Sequence, residues 1–191
     1  MSASAEGIAA SAREAAKGGG LPPIHLWDPP FCGDIDMEIR RDGTWFHEGT
    51  PITRPALVKL FSSILRKDGA RYVLVTPVEK GGIRVEDAPF LAVDAEAEGE
   101  GAGQALTFTT RVGDRVTAGP GHPIRVARDP KTGEPAPYVL VRGALEALID
   151  RKTFDRLVEF GAVEPHEGQD WFGLWSGGAF FPIQPAAELE G

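Results

Sequence analysis

A single cysteine, Cys32, among 191 residues excludes an internal disulfide and agrees with a reducing compartment. No apolar run approaches the roughly 20 residues that span a bilayer as a helix. The opening MSASAEGIAASAREAAKGGG carries no hydrophobic signal core, so the expectation is a cytoplasmic protein. Positive charge is also scarce: 20 Lys and Arg stand against 28 Asp and Glu, a net charge of −8. That balance excludes non-specific nucleic acid and an anionic membrane surface as partners, since both require a basic face to replace counterions. A local Arg/Lys pocket for a small anion is still allowed. The chain has no GxGxxG, no GxxxxGK[ST], no HExxH and no GxSxG, and His25, His47, His122 and His166 are scattered. Neither a dinucleotide fold, a P-loop, a zinc site nor a serine nucleophile is supported, and no cofactor and no catalytic residue is expected.

What is present is a chain that is 42% hydrophobic, enough for a core of ordinary size, with 24 Gly and 16 Pro that favour many short strands and turns. Residues 1–20 form an Ala-rich N-terminal helix or disordered arm, closed by Gly18, Gly19 and Gly20, with a thin apolar face. Residues 22–52 then concentrate the unusual chemistry. Pro22-Pro23 and Pro29-Pro30 forbid regular helix, so the chain crosses a surface there as an extended strap.

Further on, Ile35 to Ile39 alternates apolar and polar, turns at Asp42-Gly43 and returns through Thr44 to His47, a hairpin pattern. Thr53 reads as an N-cap with Pro55 just inside, and Leu57, Leu60, Phe61, Ile64 and Leu65 recur at helical spacing until Gly69. Tyr72–Val75 reads as a buried strand, and Val78–Val85 as a hairpin turning at Gly81-Gly82. Between Asp87 and Gly103 the chain becomes acidic and small, and its AEGEGAG end reads as an exposed loop or linker, with a domain boundary near residue 100.

The second half follows the first in pattern. Ile149-Asp150-Arg151 stands where Ile52-Thr53-Arg54 stood, apolar residues fall at the same offsets from each cap, and a Gly-Gly pair follows each helix, at Gly81 and Gly177. The reading is an α+β protein of two domains, 21–100 and 101–191, from a duplicated β-hairpin/helix/β-hairpin unit. Small-ligand sites favour domain interfaces, and the strap would lie across this one.

Each candidate for chemistry has a plainer account. Cys32 has no base beside it, so a small buried side chain explains it better than a nucleophile. Asp34, Asp36 and Glu38 share one face of a strand and so provide oxygens for a divalent cation, the basis of an alternative reading as a metal-assisted hydrolase; a solvated strand face gives the same pattern. Arg54 and Lys59 at the first helix, Arg71 at the next strand and Lys80 near the turn can assemble an anion site, or serve as ordinary surface charge. Trp27, Phe31 and Trp45 can stack on a planar ligand, or pack down to fix the strap. WFGLWSGGAFFPI, if exposed, would suit a protein-interaction module, but it looks like a buried hairpin.

The blocks LWDPPFCGDIDMEIRRDGTWFHEGTPITRPALVKLFSSILR, RYVLVTPVEKGGIRVEDAPFLAV and YVLVRGALEALIDRKTFDRLVEF resemble, in order and from about Pro22 to Ile183, the bacterial family called domain of unknown function 1285. The resemblance implies two α+β domains built by duplication, with a superficially pleckstrin-homology-like C-terminal half. It also implies a nucleotide-like small-molecule ligand at the domain interface and a role in signal transduction. From the blocks Trp27–Asp36 and Arg71–Glu79 it adds Pro30, Cys32, Thr76 and Glu79 to the ligand-binding set of Trp27, Asp34, Asp36, Trp45, Arg54, Lys59 and Arg71. It brings no catalytic residue.

Overall fold

The alternation at residues 35–39 does what period-two patterning dictates: Ile35, Met37 and Ile39 are buried on one face of a strand, while Asp34 and Asp36 are exposed on the other. In the computed structural model, which describes residues 3–190, this strand is β1 (Phe31–Ile39). The first two residues of the expected arm and the last of the expected C-terminal domain lie outside the described residues. The chain divides into two units, Met1–Pro89 with Gly143–Leu145, and Phe90–Arg142 with Glu146–Gly191.

In unit 1, α1 (Ala5–Ala15) is capped by Ser4, whose hydroxyl accepts from the Gly7 N–H at 3.1 Å. Its narrow face of Ala5, Ile8, Ala9 and Ala12 is buried, so α1 is a docked helix and not a disordered arm. After the strap come β1, β2 (Trp45–His47) and β3 (Thr50–Pro51), then α2 (Pro55–Ser63), then β4 (Leu65–Asp68), β5 (Arg71–Val75) and β6 (Lys80–Val85). They form one six-stranded sheet, β3-β2-β1-β6-β5-β4, antiparallel except where β1 runs parallel to β6. Phe61 of α2 stacks on Trp45, ring centroids 6.2 Å apart.

Two sequence expectations are corrected here. Arg54 instead of Thr53 occupies the N-cap position of α2, with no side-chain cap hydrogen bond, and the helix stops at Ser63. Leu65 pairs with Leu74 across the sheet, so the apolar spacing of Ile64 and Leu65 belongs to a strand start, with Gly69 (φ 62°) making the β4–β5 turn. Gly81-Gly82 does not turn either: both lie inside β6, and the reversal comes earlier, where the Thr76 N–H donates to the Glu79 carbonyl.

In unit 2, β7 (Phe90–Glu98), β8 (Ala105–Thr110), β9 (Arg115–Thr117), β10 (Ile124–Arg128), β11 (Pro135–Arg142) and β12 (Leu145–Ile149) form a sheet ordered β10-β11-β12-β7-β8-β9, with β7 parallel to β12. The strand orders of the two six-stranded sheets match: two meanders joined by a parallel pair between the first strand of one and the last strand of the other. Asp150 caps α3 (Arg151–Leu157), accepting from the Thr153 N–H, and β13 (Ala162–His166), β14 (Gln169–Ser176) and β15 (Ala179–Pro185) make a separate three-stranded sheet. Residues 31–85 and 124–185 thus share an order of three strands, helix and three strands, yet only the first pairs its two meanders in one sheet.

The acidic stretch divides: its AEGEGAG end is largely the exposed loop between Glu98 and Ala105, as expected, while the residues before it form a strand. Asp94, Glu96 and Glu98 point outward from β7 while Ala92 and Ala95 are buried, so β7 is a strand of unit 2, and the units part at residue 89, not near 100. Gly177 (φ 59°) and Gly178 (φ 81°) do make the β14–β15 turn. Among the described residues no helix is long and apolar enough to cross a membrane.

Candidate functional site

The solvent face of the first sheet is a field of charge built by strand alternation, and one groove on it brings together residues from three strands. Gly33 (φ 95°) lets β1 slip its register against β6 on either side of Asp34, a bulge that re-aims the Asp34 side chain. Across β6, Arg71 Nη1 lies 3.3 Å from Asp34 Oδ1, and the pair sits above Gly82, where a Cβ would collide with that oxygen. The Arg71 guanidinium lies 4.4 Å from the centre of the Phe31 ring, a cation–π contact that orients its planar fork. Asp34, Ala70, Arg71, Tyr72, Gly82 and Arg84 line the groove, whose volume is about 410 Å³.

Arg84 borders it with a second set of pairs. Its Nη2 is 2.7 Å from Asp36 Oδ1 and its Nε is 3.7 Å from Glu38 Oε2; Glu38 also accepts from Arg40 Nε at 3.0 Å. The hydrogen bond that Arg84 donates to Asp36, above all, raises the pKa of Arg84 further. Every carboxylate of the expected metal triad is therefore turned to a guanidinium, Asp34 to Arg71 and Asp36 and Glu38 to Arg84. The three do not converge on a point, and among the described residues no group of three or more His, Cys, Asp or Glu is placed to hold a metal ion. The hydrolase alternative loses its ligand set on this geometry.

The structure joins Asp34 and Arg71, with Asp36 beside them, and scatters the other expected site residues. Trp45, at 2% exposure, belongs to the core against Phe61, because strand alternation puts it on the face of Ile39. Thr76 is fully buried, and its hydroxyl bonds the backbone of Val78 and Glu79, fixing the β5–β6 turn to which Glu79 belongs. Trp27 is half-buried in the strap. Its carbonyl and that of Ile24 accept from Arg66 Nη1 at 2.7 and 2.6 Å. Arg66 in turn bonds Asp68, which also accepts from Lys80 Nζ at 3.1 Å, so a charge cluster clamps the strap. The Pro30 carbonyl accepts from the Lys80 N–H and, at 3.5 Å, from the half-buried Cys32 thiol. Arg54, just before α2, and Lys59, on it, lie outside the groove, and Arg54 lines a different pocket.

Arg84, Tyr72 and the glycine floor escaped the sequence reading. Arg84 stands two residues beyond Gly82 on the same strand face; the false turn at Gly81-Gly82 concealed that relation. At the other end of the chain, Trp171 and Trp175 are half-buried within their own sheet. Trp175 Nε1 donates to Glu164 at 3.3 Å and its ring tilts on Phe180, which argues against an exposed apolar docking face.

Residues 22–88 match the family model described as domain of unknown function (DUF1285), N-terminal domain, and residues 89–183 match the one described as protein of unknown function (DUF1285), C-terminal domain. A crystal structure of a DUF1285 family protein from Silicibacter pomeroyi DSS-3 is similar at 63% identity and a TM-score of 0.87, over 96% of this chain and 98% of that one. Another, from Shewanella baltica OS155, is similar at 27% identity and a TM-score of 0.52, over 65% of this chain and 91% of that one. No curated protein matches the chain. With both halves matched in order, and a relative of that identity aligned along almost its whole length, the chain belongs to the DUF1285 family.

Proposed function

We propose that this protein is a non-enzymatic binding protein for a nucleotide-like or phosphate-bearing small molecule, and that the ligand enters the groove above Gly82. The observation that carries the reading is the Asp34–Arg71 pair over a side-chain-free floor, with Phe31 holding the guanidinium flat. A guanidinium fork takes a phosphate through two parallel bonds. Asp34 and Asp36, released or shared, accept from ligand hydroxyl or amino groups, and Phe31, 44% exposed, offers an edge for a planar ring. Arg84 supplies the second cation. The groove is built wholly from unit 1.

A signalling role and a cytoplasmic setting belong to the same reading and rest on the family resemblance and the composition. So does descent by duplication, supported by the strand order common to the two six-stranded sheets; the pleckstrin-homology-like shape of the C-terminal half rests on the resemblance alone.

The test is a thermal-shift panel of nucleotides, cyclic and linear dinucleotides and inorganic phosphate. A ligand that binds only the folded chain at 100 times its Kd adds about 2.7 kcal/mol of stability. The expected result is a nucleotide-dependent rise in Tm that Arg71→Ala abolishes. An equal rise in Arg71→Ala, or no rise with any nucleotide, would sink the reading.

A further inference from the structure

The arginines of unit 1 fall into two sets. Arg40, Arg41, Arg66, Arg71 and Arg84 each hold a carboxylate. Arg13 and Arg54 hold none among the described residues, in a chain whose net charge is −8. Those two come from different helices, Arg13 from the last turn of α1 and Arg54 from the residue that precedes α2, yet they line one pocket of about 120 Å³. Its remaining wall is apolar, made by Ala56, Leu57 and Leu60.

Bringing two cations together in an acidic protein without a carboxylate between them is electrostatically unfavourable, and an anion between them reverses the sign of that term. The donors are chiefly the side chains, since Pro55 has no N–H and the Leu57 and Val58 N–H groups already donate to the Arg54 carbonyl at 3.1 and 3.2 Å, which leaves the helix end to the Ala56 N–H. Guanidinium forks favour planar or tetrahedral oxyanions, and the leucine wall favours hydrocarbon over water. The space holds a small head group and a short chain but not a nucleotide, which sets it apart from the groove over Gly82.

We propose that Arg13 and Arg54 form a second binding site, for a small organic anion that carries a carboxylate or phosphate-ester head and a short apolar body. Because the head is held by one arginine from each helix, its occupant fastens α1 to α2. The site stands independently of the nucleotide groove.

Isothermal titration of the full chain with hexanoate, butyl phosphate and inorganic phosphate tests it, with amide hydrogen exchange of residues 5–15 as a second readout. Saturable binding of hexanoate or butyl phosphate is expected, and which of the two binds tighter identifies the head group. Affinity should fall about tenfold or more in Arg13→Ala and in Arg54→Ala and be partly kept in Arg54→Lys. Binding that is lost in Arg71→Ala and kept in Arg54→Ala belongs to the groove over Gly82 and overturns the second site. The bound ligand should slow exchange in α1 of the native chain and leave it unaltered in Arg54→Ala. Both arginines are exposed, so a thermal melt should show the variants folded. The proposal is overturned by no saturable binding of any probe, by equal binding in Arg54→Ala, by Arg54-dependent binding of inorganic phosphate as tight as that of butyl phosphate, or by unchanged exchange in α1 when ligand is bound.

Discussion

Gly81 and Gly82 are neighbours in one strand, and the same substitution at each should read out differently. A Cβ on Gly81 would stand 2.6 Å from Ile35 Cδ1, in a packed region where Ile35 is 5% exposed. Overpacking of this kind costs about 1–3 kcal/mol, so Gly81→Ala should lower the unfolding free energy from urea melts by that amount. On the other face, a Cβ on Gly82 meets the Asp34 carboxylate, which is exposed and free to swing. Gly82→Ala should leave stability within about 1 kcal/mol and weaken nucleotide binding about tenfold by prising Asp34 from Arg71. Denaturation and titration of both variants check the pair, and a Gly82→Ala protein that bound as the native one does would remove the glycine floor from the site.

Among the elements, α1 is the one whose attachment the sequence understated. Its apolar face is one isoleucine among alanines, but Ile8 is fully buried and capping by Ser4 fixes the start. Ile8→Ala should cost about 2–4 kcal/mol, as burial of a large aliphatic side chain demands. A loss below about 0.5 kcal/mol in a chemical melt would mean the helix is only loosely held. α2 and β4 show a related ambiguity. The run Leu57, Leu60, Phe61, Ile64, Leu65 suits a helix throughout, and only the ladder Leu65↔Leu74 to Asp68↔Arg71 ends it early.

For the molecule as a whole, acid stability should depend on the charge cluster under the strap. The hydrogen bond from Arg66, opposed by burial and joined by Lys80, holds the Asp68 carboxyl below the usual carboxylate range. A folded value below the unfolded one stabilises the native state fully at neutral pH, and that contribution disappears as the pH falls below about 4 and through the folded value. Asp68→Asn should therefore cost about 1–3 kcal/mol at pH 7, since it leaves Arg66 and Lys80 facing each other in a partly buried site. The difference from the native chain should shrink as the pH falls toward 3. Denaturant midpoints of both proteins across pH 3–7 measure it, and a constant gap over that range would show that the carboxylate charge is not what stabilises the clamp.

Local pattern was enough for the features whose causes are local. Period-two alternation gave β1 its buried and charged faces, Asp42-Gly43 gave its hairpin, Asp150 gave α3 its cap, and Gly177-Gly178 gave the last turn. The same local rules misplaced Gly81-Gly82, because a glycine pair signals a turn as readily as a close approach, and only the side chains of Ile35 and Asp34 across the strand distinguish the two. They passed over the strand β7, which leads into the exposed AEGEGAG loop, because acidic composition outweighed its alternation. Asp34 and Arg71 were both legible as candidates. That they face each other, that Arg84 joins them, and that Arg54 does not, was decided by the parallel pairing of β1 with β6, a contact between residues about 48 apart in sequence that no local pattern encodes.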